Sequence, residues 1–92
     1  MKVVVKFAGP LRSAAGVKQI EIDVDSKATT GGVLRFVSEE FPGIERELFG
    51  PEPKAYYSVF VNDRLVPEKD RADVPVHEGD VVLFLLPIAG GG

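Results

Sequence analysis

A single stretch of helical periodicity enclosed by segments that alternate with period two limits the folds open to this 92-residue chain. From about Thr30, the residues Val33, Leu34, Val37 and Phe41 recur at helical spacings and form one apolar stripe, leaving Arg35, Ser38 and Glu39 for solvent. Thr29 or Thr30 can cap the first free amides, and Pro42-Gly43 is expected to stop the helix. Gly31 and Gly32 weaken its first turn by about 1 kcal/mol each relative to alanine. A shorter helical piece over 44–49 then meets Gly50-Pro51-Glu52-Pro53, read as loop because proline can neither continue a helix nor donate to a strand ladder.

On the N-terminal side, residues 2–7 alternate, with Val3, Val5 and Phe7 on one face and Lys2, Val4 and Lys6 on the other. Residues 18–25 alternate again, with Ile20, Ile22 and Val24 inward against Glu21, Asp23 and Asp25. The two read as a hairpin whose connection, 8–17, is an irregular loop or short helical turn that tucks Leu11 under the sheet. On the C-terminal side, 57–61 alternates, Asn62-Asp63-Arg64 turns the chain into Leu65-Val66, and 67–76 is charged and irregular. Glu78-Gly79-Asp80 supplies a last turn before 81–86, whose continuous apolar character suits a central strand. Two hairpins flanking one helix predict an α+β fold with a mixed sheet wrapped on one main helix, the β-grasp arrangement.

Composition removes several functions. Eleven basic against fourteen acidic residues give a net charge of -3, without the basic excess that displaces counterions from nucleic-acid phosphates. The longest apolar run, 81–88, is far short of the roughly 20 residues that cross a bilayer, and the chain opens with no secretory pattern, so a cytoplasmic address and no membrane partner are expected. With no cysteine and one histidine, His77, it has neither a disulfide framework nor a zinc site of the usual ligands, nor the parts of most nucleophilic catalytic pairs. Glu21, Asp23 and Asp25 share a strand face but read as a solvated edge, and no metal site is assigned. His77, beside Glu78, reads as an exposed turn residue; Tyr56 and Tyr57, without surrounding positive charge, read as core and rim of the third strand.

The informative segment is the last, Leu86-Pro87-Ile88-Ala89-Gly90-Gly91-Gly92. Three glycines have no side chains to pack and a large entropy to lose, so 89–92 is expected to be a flexible tail on a domain of residues 1–88. Extended from Ala89, the tail spans roughly 13 Å, enough to carry a terminal carboxylate into another protein's cleft. Glycine suits a narrow tunnel because no Cβ meets its walls.

Gly79-Asp80, the apolar strand through Leu85, Pro87-Ile88-Ala89 and the terminal glycines resemble the carboxy-terminal signature of the ubiquitin-like sulfur carriers of the MoaD/ThiS group. FAGPLRSAAG at 7–16, TTGGVL at 29–34, residues 41–49 with Pro42 and Leu48, and Val61-Asn62-Asp63 are similar to that family's landmarks in the same order. The resemblance implies a β-grasp protein that is no enzyme itself. An E1-like enzyme adenylates its last glycine, Gly92 or Gly91, and the carboxylate becomes a thiocarboxylate that donates sulfur; Gly90 and Ala89 lead the end into partner sites. The chain has no G-x-x-x-x-G-K-[ST] or G-x-G-x-x-G motif, so ATP and magnesium are expected to come through the activating partner. The closest look is to the small subunit of molybdopterin synthase, whose tail enters a large subunit and sulfurates a pterin precursor. The archaeal small modifier proteins are similar too, and they are joined through the terminal glycine to lysines of target proteins. Two departures stand out: Gly92 is one glycine more than the family's usual pair, and Leu86 precedes Pro87 where many relatives carry two prolines.

A carrier also needs a docking surface. With Val82 and Phe84 toward the helix, alternation puts Leu83 and Leu85 on the opposite face with Phe60, leading to Pro87 and Ile88 at the exit of the tail; Val81 and Val4 are expected beside them. This face is expected to bind the activating enzyme and the sulfur acceptor. The alternative is that the 67–76 loop covers Leu83 and Leu85.

Overall fold

The computed structural model describes residues 1–49 and 57–85. Strand β1, Lys2–Ala8, buries Val3, Val5 and Phe7, and Gly9 at φ 64° turns the chain into helix α1, Pro10–Ala15. Proline occupies α1's first turn, where its missing N–H costs nothing, and Gly16 closes the helix in the left-handed conformation by donating to the Arg12 carbonyl at 2.9 Å. Leu11 is fully buried by this turn. Strand β2, Gln19–Asp23, then pairs antiparallel with β1, Val3 opposite Ile22.

Helix α2, Thr30–Glu40, starts where the capping residues predict, with a division of labour between the two threonines. Thr29 Oγ1 accepts from the Gly32 amide at 3.2 Å, whereas Thr30 is buried and donates its hydroxyl to the Val74 carbonyl at 3.0 Å. The Thr30 and Gly31 amides donate to the carbonyls of Val74 and Arg71, so a distant loop caps this helix. A Cβ on Gly31 would come within 3.1 Å of the Arg71 carbonyl oxygen, which accounts for a poor helix former in that turn.

Two details depart from the expected helix. Ser38 is buried rather than solvated, its hydroxyl donating to the Leu34 carbonyl at 2.9 Å; a small side chain bonded to its own helix satisfies a crowded position without a distant partner. Pro42-Gly43 follows the end of α2 at Glu40, as expected, but the shorter helix begins there and not at Ile44: α3 is Pro42–Phe49, since proline fits a first helical turn as well as it ends one. Gly43 lies so close to α1 that an added Cβ would overlap the Ala14 carbonyl oxygen.

Strands β3, Ser58–Val61, and β4, Arg64–Leu65, form the second hairpin around Asn62 and Asp63, both at positive φ (49° and 69°), as the hairpin turn that matches strand twist requires. A short 3-10 turn, Glu68–Asp70, follows, and β5, Val81–Leu85, runs between β1 (parallel) and β3 (antiparallel). The sheet order β2-β1-β5-β3-β4 is mixed and wraps α2, which is the β-grasp fold. Its core joins Val3, Val5, Phe7, Val59, Val82 and Phe84 of the sheet to Val33, Leu34 and Val37 of α2, with Phe7 edge-on to Phe41 at 5.8 Å. No helix among the described residues is long and apolar enough to cross a membrane.

Candidate functional site

The central position of β5 decides what the outer face of the sheet carries. Val82 and Phe84 are fully buried against the helix layer, so Val81, Leu83 and Leu85 point the other way, each half-buried. The registers then fix their neighbours. Leu83 lies opposite Phe60 on one side and Lys6 on the other; Leu85 lies opposite Ser58 and Ala8; Val81 lies opposite Val4. The structure therefore brings Leu83, Leu85 and Phe60 onto one face, together with Val4 and Val81. The 67–76 segment runs on the helix side: Val76 is in the core and donates to the Ala28 carbonyl, and Val74 and Arg71 cap α2.

Two members of this face are absent from the sequence-based set. Leu65 pairs with Phe60 across the β3–β4 turn and is 58% exposed, the most exposed large apolar side chain described. Lys6 ends the same row, with the neutral Gln19 as its other neighbour, while Lys2 has Glu21 at 4.0 Å. The signal for Leu65 was available: a two-residue turn at Asn62-Asp63 fixes Phe60 opposite Leu65 by counting. Lys6 required the parallel pairing of β1 with β5, which no local pattern specifies. The row Lys6, Leu83, Phe60, Leu65 is thus an apolar strip with one cation at its edge, suited to a partner surface that is apolar with a carboxylate beside it.

Pro87, Ile88, Ala89, Gly90, Gly91 and Gly92, the tail and the exit, lie outside the described residues. The described chain leads to them at Leu85, beside Ser58 on β3 and Ala8 at the end of β1.

Several other polar groups are engaged within the domain. The Met1 ammonium donates to Asp23 Oδ1 at 3.1 Å and to the Val24 carbonyl at 2.8 Å. That hydrogen bond, then the ammonium charge and Lys2, hold the Asp23 carboxyl below the ordinary aspartate range. His77 is 75% exposed, with its backbone N–H donating to Asp80 Oδ2 at 2.7 Å. Among the described residues no group of three or more histidines and acids is placed to hold a metal ion. Tyr57 departs from its expected surroundings: the Arg71 guanidinium stacks on its ring at 4.5 Å and donates to its carbonyl at 3.2 Å. Burial pushes the Tyr57 phenol up, against the pull of Arg71. The arginine is fourteen residues downstream, so local composition around Tyr57 could not reveal it.

Comparison with known proteins places this geometry in a family. A model of the ThiS family matches residues 5–91. The chain is 34% identical to small archaeal modifier protein 3 of Haloferax volcanii, over 99% of this chain and all of that one. Its fold superposes on the crystal structure of SAMP1 from Haloferax volcanii with a TM-score of 0.83 at 25% identity, covering 99% of this chain and 100% of that one. It also superposes on a putative molybdopterin converting factor, subunit 1, from Pyrococcus furiosus, with a TM-score of 0.77 at 26% identity, covering 96% and 99%.

Proposed function

The chain belongs to the ThiS family, and we propose that it acts as a sulfur carrier: its terminal glycine is adenylated by an E1-like enzyme and converted to a thiocarboxylate that donates sulfur to a molybdopterin precursor. The observation that carries the reading is the family match, which runs the length of the domain and on through Gly91. Similarity to a subunit 1 of a molybdopterin converting factor supports the acceptor.

The chemistry asks little of this chain beyond a carboxylate and a surface. A terminal carboxylate, with an ordinary pKa near ~3.5, is ionised at neutral pH and attacks the α-phosphorus of ATP, expelling pyrophosphate. Magnesium and positive groups that relieve the repulsion belong to the activating partner, which also holds the nucleotide. The acyl-adenylate is then attacked by the terminal sulfur of a persulfide on another protein, with AMP as the leaving group, and a second thiol of that protein cleaves the acyl disulfide so formed, releasing the thiocarboxylate and ending in a disulfide. The resulting thiocarboxylate is the nucleophile offered to the acceptor, so sulfur rides on the main chain and no cysteine is needed. The domain, 1–88, contributes no catalytic side chain; Leu83, Leu85, Phe60, Pro87 and Ile88 dock the partner while Ala89 and Gly90 thread the end into its active site. All of this takes place in the cytoplasm.

A second reading has its own support. The full-length similarity to a small archaeal modifier favours conjugation of the terminal glycine to lysines of target proteins, which begins with the same adenylate. Replacing the chain in its host by a version lacking Gly91 and Gly92 tests both. The carrier predicts loss of molybdopterin, the modifier predicts loss of conjugates, and retention of both at full level rejects the tail as the reactive end.

A further inference from the structure

Arg71 is nine-tenths buried, and buried guanidinium groups are ordinarily neutralised by a carboxylate. Among the described residues none lies within 4.0 Å of it. One N–H goes to the Tyr57 carbonyl, the guanidinium carbon lies 4.5 Å from the centre of the Tyr57 ring and the group also bonds the Tyr57 phenol, while Nε, sealed from solvent, has no acceptor among the described residues. The arginine forms a wall of a cleft of about 470 Å³ that also includes Tyr57, Gly31, Gly32, Arg35 and Glu68.

The cleft sits at the start of α2, the positive end of that helix's dipole. The first amides of α2 are already taken by Val74, Arg71 and Thr29, so the helix contributes field and no free donors. Among the described residues neither Arg71 nor the exposed Arg35 at the rim has a carboxylate within 4.0 Å. We infer that this cleft seats an oxyanion, a carboxylate or a phosphate, against the Arg71 guanidinium. A planar fork of N–H donors is the side chain best matched to such groups. Glu68, exposed on the same cleft, opposes the anion and keeps the affinity modest.

Two sources can supply the oxyanion. Ser58 pairs with Leu85, so Tyr57 stands one residue from where residues 86–92 begin, and an extended run of that length reaches roughly 23 Å, bringing the chain's own terminal carboxylate within range. The other source is a phosphate or carboxylate from outside the chain. The inference holds whether or not the tail is a reactive end.

The experiment is a proton–nitrogen NMR titration of the full chain with inorganic phosphate, reading the Arg71 Nε–H signal and the Gly31 and Gly32 amides, repeated on the full chain carrying a terminal amide in place of its carboxylate. Saturable shifts in the unmodified chain, with a Kd tighter than about 1 mM, establish an external oxyanion. A shift of the Arg71 signal on amidation alone, with phosphate binding only afterwards, identifies the chain's own carboxylate as the occupant. Arg35→Gln is expected to weaken phosphate binding several-fold and Glu68→Gln to tighten it; both positions are exposed, so neither variant threatens the fold. If neither phosphate nor amidation moves the Arg71 signal in a folded chain, the inference is wrong.

Discussion

Asn62 donates its side-chain amide to the Asp80 carboxylate at 2.8 Å while accepting from the Val81 amide at 2.9 Å, so one residue in the left-handed region ties the β3–β4 turn to the start of β5. Asp80 completes the joint by accepting from the His77 backbone at 2.7 Å. This joint sets the register from which Leu83 and Leu85 reach the outer face.

Asn62→Ala is expected to destabilise the domain by about 1–3 kcal/mol, because it removes both side-chain bonds and forces alanine to a positive φ. Asn62→Gly, which restores the backbone freedom, should recover part of that loss. Urea unfolding of the two variants separates the terms; equal stability of Asn62→Ala and the parent would remove the joint from the account.

Gly43→Ala should cost more than Gly31→Ala. The first places a methyl group on the Ala14 carbonyl and must push α1 from α3, an overpacking effect of about 1–3 kcal/mol. The second meets the Arg71 carbonyl at 3.1 Å, a milder crowding set against the roughly 1 kcal/mol gained by replacing a helical glycine. Thermal melts of the pair check the order.

Acid sensitivity should involve Asp23. Its folded pKa is depressed, so its contribution is present above the unfolded aspartate value and fades as pH falls through the folded one. Asp23→Asn is therefore expected to flatten the acid limb of the stability curve. Unfolding midpoints measured from neutral pH to about pH 3 show whether it does; an unaltered acid limb would assign the sensitivity elsewhere.

A charge on the outer face should act on association and spare folding. Leu85→Glu or Leu83→Glu is expected to weaken binding to the activating enzyme and to the acceptor at least about tenfold, as loss of a central apolar contact does. Leu65→Asp tests whether the strip extends to β4, and Lys6→Glu whether its edge charge is read by the partner. Pull-down and kinetic measurements with both partners decide; complexes untouched by Leu85→Glu would move the docking site off this face.

The periodicities of 2–7, 33–41 and 57–61 anticipated the strands and the main helix because each element buries one face locally. What escaped was set by distance. Ser38 is buried with its hydroxyl bonded to its own helix, and Gly43 lies against Ala14 of α1, a contact across some thirty residues. Arg71 reaches Tyr57 only after the 67–76 segment has capped α2. That Leu83, Leu85 and Phe60 share the outer face was readable from alternation, Leu65 from the length of the turn, and Lys6 only from the parallel register of β1 with β5; Pro87 and Ile88 lie outside the described residues.

Intact-mass measurement of the protein purified from its own host reads the central claim directly. The account predicts a fraction heavier by the difference between one sulfur and one oxygen atom, located at the terminal glycine and lost when the activating enzyme is deleted. A terminal carboxylate alone, with the activating enzyme present and no remnant of this chain on any lysine, would contradict it.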